Sequence, residues 1–468
     1  MISKGLSNFL AFSCIAFLAF LYWPEPEGKI RPIRQAIPKP NLIKLAQSMD
    51  ASHLLKINTN KTLAGFGAKL FFDREFSSNH QVSCASCHKP ELSFTDGLTV
   101  AQGVATTKRN TPTLINVHLN QWQFWDGRAH SLVTQAWGPI EDPREHGINR
   151  GRVGQILFRK YKKDYKTLFG SFPKELGDFL SKSNAHAMPT VSIGTVPSEI
   201  ASYALGTMSN FSEQTSIIQE AADRELSPNI WFGKKFLSKQ PQPQGWLDTY
   251  EGLSPELQSD LDQLFFNFGL ALEAFQQTIV SNQSPFDSFL IKLNDSTSIL
   301  ESYNKDFGPE EWQGFKVFAE SGCSNCHLGA NFSDQQFHNI GLPYNGTLDL
   351  GRAAGLAQLV VDPVTCDSIE PFDREACKEL KYLDMTSIET LAAFKTPTLR
   401  NLKTTAPYMH DGRFSDLDEV LNHYESKDVE PALGHRSESI PQLEWTEKDR
   451  AHLKAFLNSL NSTVSFLK

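Results

Sequence analysis

Cysteine is scarce in this chain: seven residues in 468, too few for a disulfide framework to hold a protein of this length together. Positive charge is short as well. The 45 Lys and Arg stand against 53 Asp and Glu, a formal net charge of -8, which argues against an electrostatic grip on nucleic acid or on anionic lipid headgroups. Alternating runs of the strand type are few. With 40% hydrophobic and 21% charged residues the composition excludes disorder and collagen-like structure, and the length accommodates two or three domains with cores of their own.

What is present begins at the N-terminus. From Leu6 to Trp23 the sequence is almost uninterruptedly apolar, with Phe9, Leu10, Phe12, Ile15, Phe17, Leu18, Phe20 and Leu21 in the run, just long enough to span a bilayer. Pro-Glu-Pro-Glu-Gly comes next without a small-x-small cleavage site, which favours an uncleaved signal anchor at residues 1–23 over a removed signal peptide. Either reading exports the remainder. Cys14 comes after Ala11-Phe12-Ser13, a poor lipoprotein signal, and reads as a membrane-buried thiol. Residues 24–41, with Pro24, Pro26, Pro32, Pro38 and Pro40, make a stiff extended tether.

The globular part starts near Leu42 and reads as mainly α, helices joined by long loops. Ser254 as cap and Pro255 at the first helical position open a long helix. Leu257, Leu261, Leu264, Phe265, Phe268, Leu272 and Phe275 keep helical spacing toward Val280. A second helix runs from Glu310 to Glu320, and a third opens at Thr446 with Leu453, Phe456, Leu457 and Leu460 on its apolar face. Between about Arg150 and Gly252 the sequence is rich in Ser, Pro, Gly and Asn and reads as a large surface insertion.

Four of the cysteines lie in two Cys-x-x-Cys-His pentads, Cys84-Ala85-Ser86-Cys87-His88 and Cys323-Ser324-Asn325-Cys326-His327. Two thiols and an imidazole at this spacing suit a covalently attached haem, with thioether bonds from both cysteines and iron bound by the histidine. A zinc site wants a compact second pair of ligands, and a dithiol redox motif has no need of the histidine. Two c-type haems are therefore expected.

The segments downstream of each pentad are more particular. After the first come Arg109-Asn110-Thr111-Pro112-Thr113-Leu114-Ile115-Asn116, Gln123-Phe124-Trp125-Asp126-Gly127-Arg128-Ala129 and Gln135-Ala136-Trp137-Gly138-Pro139-Ile140. After the second come Phe337-His338-Asn339-Ile340-Gly341, Asp349-Leu350-Gly351-Arg352, Lys395-Thr396-Pro397-Thr398-Leu399-Arg400-Asn401 and Pro407-Tyr408-Met409-His410-Asp411-Gly412. In this order they resemble the bacterial di-haem cytochrome c peroxidase/MauG family, over about Leu63 to His146 and Ser254 to Leu460. The resemblance implies two cytochrome c-like haem domains with long loops behind the transmembrane anchor. The peroxidatic domain would take residues 42–300, including the 150–252 insertion, and the electron-transfer domain residues 301–468.

Carried over residue by residue, the family makes His88 the proximal ligand of the peroxide haem and His327 that of the electron-transfer haem. Trp125 matches the tryptophan between the haems, a stepping stone for electrons, although a tryptophan is more commonly a packed core residue. Glu145 matches the catalytic glutamate, with His146 where a methionine often stands. A carboxylate there would take the proton from one peroxide oxygen and return it to the other. Gln135 and Pro139 match residues lining the peroxide pocket.

Two positions depart from the ordinary peroxidase pattern. Gln102 stands where many members have a distal histidine, which implies an open iron that needs no prior reduction; His118 or His130 are the alternatives if the loop register differs. Tyr424 stands where a methionine usually ligates the second haem, as in MauG-type members, with His423, Met409 and Met385 as competing candidates. An anionic oxygen ligand would lower the potential of that haem. Asn110, Thr405 and Pro407 match the positions that hold a calcium ion, a cation suited to oxygen ligands. Cys366 and Cys377 flank an acidic loop and would form a local disulfide.

The expected activity is reduction of hydrogen peroxide with electrons from a small redox protein such as a cytochrome c or cupredoxin. The expected setting is the periplasm, tethered to the inner membrane, with a homodimer as one possible form and no nucleic acid partner. One alternative is peroxide-dependent oxidation of a protein or small molecule; another is an electron-transfer cytochrome without peroxide chemistry.

Overall fold

The computed structural model describes residues 41–52, 59–182, 253–296, 298–361, 387–426 and 429–467. The expected anchor at 1–23, the tether up to residue 40, Met385 and the Cys366 to Cys377 loop lie outside the described residues. No helix among the described residues is long and apolar enough to cross a membrane.

The fold is mainly helical. In chain order the helices are α1 (Leu42–Gln47), α2 (Lys61–Phe72), α3 (Cys84–Cys87), α4 (Leu132–Glu141), α5 (Arg150–Lys160), α6 (Lys162–Phe169), α7 (Lys174–Lys182) and α8 (Pro255–Gln276). After them come α9 (Pro285–Ser296), α10 (Ile299–Ser302), α11 (Pro309–Glu320), α12 (Arg352–Val361), α13 (Leu417–Glu425) and α14 (Glu447–Asn458). The strands β1 (Phe337–His338) and β2 (Phe394–Lys395) pair antiparallel, with Phe337 opposite Lys395. The caps expected from sequence form: the Ser254 side chain accepts from the Leu257 N–H, and that of Thr446 from the Asp449 N–H. Each satisfies a donor that the first helical turn leaves unpaired.

Two aromatic cores organise these helices. One gathers Phe71, Phe76, Phe94, Phe265, Phe268 and Phe275, and the other Phe286, Phe289, Phe307, Phe315, Phe318 and Phe456. They interleave along the chain, because α1 and α9 join the second core, so their membership does not follow a single division at residue 300. Each core is built on the same device. Gly67 of α2 lies so close to α8 that a Cβ would overlap the Ala271 carbonyl and touch Phe275; Gly314 of α11 meets the His452 carbonyl and Phe456 of α14 in the same way. A glycine at each crossing lets the helix before a pentad approach its partner backbone directly. Ring pairs close the contacts, Phe71 to Phe275 at 4.9 Å and Phe318 to Phe456 at 5.2 Å between centroids.

Residues 150–182 are not a surface insertion. They form α5, α6 and α7, and bury Val153, Ile156, Leu157, Tyr161, Tyr165, Leu176 and Leu180 in the first core. Arg150 is buried and ion-paired with Glu141 at 3.2 Å and Asp262 at 2.7 Å. The helices have 11, 8 and 9 residues, too short for an apolar period to stand out, and α5 is broken up by arginine and glycine. The remainder of the expected insertion, residues 183–252, lies outside the described residues.

Candidate active site

Both pentads fold as single tight turns. In the first, the His88 N–H closes on the Cys84 carbonyl at 2.9 Å, and in the second the His327 N–H closes on the Cys323 carbonyl at 2.9 Å. The side chains are then fixed alike: Nδ1 of His88 donates to the Phe94 carbonyl at 3.1 Å, and Nδ1 of His327 to the Phe332 carbonyl at 2.9 Å. Phe94 and Phe332 both have left-handed backbone, φ 59° and 51°, which turns each chain segment back under its histidine. With Nδ1 committed, Nε2 of each ring is left as the ligating atom, and burial holds both imidazoles neutral by lowering their pKa.

The thiols do not suit a redox dithiol. Burial pushes Cys84, Cys87 and Cys323 up to about 12, whereas a redox dithiol works from a lowered pKa. Cys326, Asp334 and His338 bring ligand atoms within 4.8 Å of one another, one ligand short of a structural zinc site.

One cavity of about 550 Å³ is lined by residues of both pentads, Cys87 and His88 on one side and Cys323, Cys326 and His327 on the other. Trp125, Gln135, Pro139, Glu145, Asn110, Thr405, Pro407 and Tyr424 line it too. Two thiol pairs, two imidazoles with a committed Nδ1 and a shared largely apolar cavity fit two covalently held haems.

The expected side chains are not all brought together. Gln102 does not line the cavity; it is exposed and its Oε1 accepts from the Thr106 hydroxyl at 3.0 Å. Its backbone, rather than its amide, meets the pentad, with the Gln102 carbonyl 3.6 Å from the Cys87 Sγ. The alternatives His118 and His130 do not line the cavity either. On α13, Tyr424 lines the cavity beside Cys323 and Cys326, while His423 turns away and binds the Ile340 carbonyl at 3.0 Å. Met409 also lines the cavity.

Glu145 sits in the turn after α4, where withdrawal from water and then repulsion by Asp142 raise it to about 7, against the opposing pull of Arg128 and Arg144. A carboxyl poised there can both take and give a proton near neutrality. His146, beside it, is buried; its Nδ1 lies 2.7 Å from the Phe76 carbonyl and its Nε2 3.9 Å from the Cys84 Sγ.

Trp125 is held from both halves of the chain. Its Nε1 donates to the Asn110 carbonyl at 2.9 Å, and its own carbonyl accepts from the Lys395 N–H at 2.8 Å. Asn110 in turn donates its N–H to the His410 carbonyl at 2.8 Å. Around this crossing lies an ionic cluster to which sequence reasoning gave no role: Arg109 binds Asp349 through two 2.6 Å hydrogen bonds and Asp126 through one of 2.5 Å, and Arg128 binds Asp126 at 3.1 Å. The only signal in the sequence was that all four residues stand inside the recognised motifs.

Comparison with known proteins agrees with this geometry. The profile of the di-haem cytochrome c peroxidase family matches residues 61–217, a span that includes the α5 to α7 segment. The methylamine utilization protein MauG of Methylorubrum extorquens is 28% identical over 400 residues, covering 85% of this chain and 77% of that protein. The cytochrome c551 peroxidase of Pseudomonas aeruginosa is 24% identical over 357 residues, covering 76% and 69%. Among solved structures, a variant of the diheme peroxidase BthA from Burkholderia thailandensis shares the fold, with a TM-score of 0.53 at 18% identity over 86% of this chain and 87% of that one. Two pentads opening on one cavity, and sequence relatives that span most of the chain, support the di-haem cytochrome c peroxidase/MauG family for this protein.

Proposed function

We propose that the protein is a di-haem peroxidase that reduces hydrogen peroxide to water, two electrons and two protons being consumed per peroxide. Electrons would come from a small redox protein, a cytochrome c or cupredoxin, and enter on the His327 side. The observation that carries this reading is the single cavity lined by His88, Glu145, Trp125 and His327. When bound, the haems supply iron for the peroxide oxygen and a conjugated path for electrons. His88 and His327 would hold them through Nε2, with Cys84, Cys87, Cys323 and Cys326 as the thioether anchors. Glu145 would accept the proton of one peroxide oxygen and deliver it to the other, and Gln135 would orient the peroxide. Trp125 would carry electrons between the two halves. An electron carrier has no use for a carboxyl tuned to neutrality and aimed into the cavity, which weighs against that alternative.

Tyr424 favours a second reading. Its place beside the second pentad, with His423 engaged elsewhere, supports an oxygen ligand there and hence a low-potential second haem of the MauG kind, suited to oxidising a protein or small molecule with peroxide. Gln102, exposed and hydrogen-bonded to Thr106, lends itself to a role in the loop rather than over the iron. A calcium ion held by Asn110, Thr405 and Pro407 would join the two halves at the Trp125 crossing; all three line the cavity there. Export to the periplasm on an N-terminal anchor belongs to the same proposal and is supported by the apolar run at 6–23. Steady-state peroxide turnover with reduced cytochrome c, with a spectrum of the resting ferric protein, tests the reading. Turnover supports the peroxidase; peroxide consumption without donor oxidation points to the second reading.

A further inference from the structure

Lys395 is a buried cation that the chemistry above does not use. Its residue is 8% exposed, and it lines the cavity shared by the two pentads. Nζ reaches one acceptor, the Thr396 carbonyl at 3.4 Å, and no carboxylate among the described residues forms an ion pair with it. Asp334 is the charge that acts on it, but that carboxylate is engaged by His338 at 2.7 Å. The arginines lining the same cavity are neutralised by the chain itself: Arg109 and Arg128 by Asp126, Arg144 by Asp142, and Arg150 by Glu141 and Asp262. An ammonium buried without a counter-charge is strongly unfavourable. The chain keeps one here, at a place where the group it is built to hold brings carboxylates of its own.

We propose that the Lys395 ammonium is the counter-charge of a propionate of the haem attached at Cys323 and Cys326. The second haem is chosen by the surroundings of β2. Asp334 donates its N–H to the Cys326 carbonyl at 2.7 Å, and the Ser333 hydroxyl donates to the Thr396 carbonyl at 2.7 Å, so the end of β2 is stitched to the second pentad. The same residue grips Trp125 through its backbone. Lys395 is thus a positioning residue: its backbone N–H holds the Trp125 backbone and its side chain the haem with which that tryptophan is to exchange electrons, and its charge favours the reduced state of that haem.

The inference rests on the two-haem reading, and the experiment separates them. Full-length wild type, Lys395→Met and Lys395→Arg are isolated with haem attached, and the haems are counted by mass. A wild-type chain without the second haem overturns the two-haem reading itself. With both haems present, redox titration should show that Lys395→Met lowers the ferrous-to-ferric ratio of the second haem about tenfold at the wild-type midpoint. The first haem should be unmoved, and Lys395→Arg should restore the wild-type value. Identical second-haem midpoints in all three proteins overturn the assignment. If Lys395→Met does not fold, Lys395→Gln replaces it, and resonance Raman of the propionate bending bands is read against wild type: a shift in Lys395→Gln but not in Lys395→Arg supports the ion pair, and no shift overturns it.

Discussion

Val104 donates its backbone N–H to the carbonyl of Glu145 at 2.9 Å, and Ala105 does the same to Arg144 at 2.8 Å. The loop after the first pentad is thereby laced to the turn that carries the cavity's carboxyl. Gly103 is the point of closest approach: a Cβ there would overlap the Arg144 carbonyl and press on the Cα and carbonyl of Glu145. The position of Glu145 is therefore set by a loop distant in sequence, with Gln102 as its exposed shoulder.

Gly103→Ala should push the two segments apart and displace Glu145 while leaving both haems attached. A displacement of this kind costs on the order of 10-fold to 100-fold in turnover. Peroxide kinetics normalised to haem content check it; wild-type kinetics would show that the contact does not position the carboxyl.

Glu145→Gln keeps the shape and removes the proton acceptor. Peroxide turnover should fall by about 10²-fold or more with haem spectra unchanged.

The pH dependence is set by the same residue. Burial and then Asp142 raise Glu145 to about 7, so below that pH the carboxyl is neutral and cannot accept a proton, while above it the base is available. Turnover should rise with pH through a midpoint near 7, and Glu145→Gln should lack this limb. Asp142→Asn removes the repulsion and should move the midpoint to lower pH; a midpoint that stays put or moves up would exclude Asp142 as a cause.

Tyr424→Met would replace a hard oxygen ligand by a thioether and should raise the second haem's potential on the order of 100 mV. Redox titration with electron paramagnetic resonance reads both the potential and the change of ligand. A variant with an unaltered second-haem signal would hand the axial position to Met409.

Gly314→Val should force α11 off the His452 carbonyl and Phe456, destabilising the fold by about 1–3 kcal/mol. Gly67→Val should do the same at Ala271 and Phe275. Thermal unfolding checks both, and a Tm equal to wild type would mean the helices part without cost.

The features legible in the sequence are those whose geometry is local. Cys-x-x-Cys-His is one turn of chain, and its carbonyl-to-histidine closure comes from spacing alone. The caps at Ser254 and Thr446 are satisfied three residues away, and the long period of α8 could be counted because 22 residues give several turns of signal. The short helices from Arg150 to Lys182 offer too few turns to count, and their sequence reads as an insertion for that reason. Tertiary structure alone decided the rest. His423 and Tyr424 are adjacent on one helix, and only its packing determines which of them faces the cavity and which finds the Ile340 carbonyl. Gln102 belongs to the right loop, but its side chain turns outward to Thr106. Gly67 and Gly314 look like ordinary helix glycines until the opposing carbonyls arrive. Lys395 stands in a recognised segment, but nothing in that segment shows that its side chain is buried at the shared cavity. In each case the deciding partner comes from a distant part of the chain, and which face of a short element is turned inward depends on what it packs against.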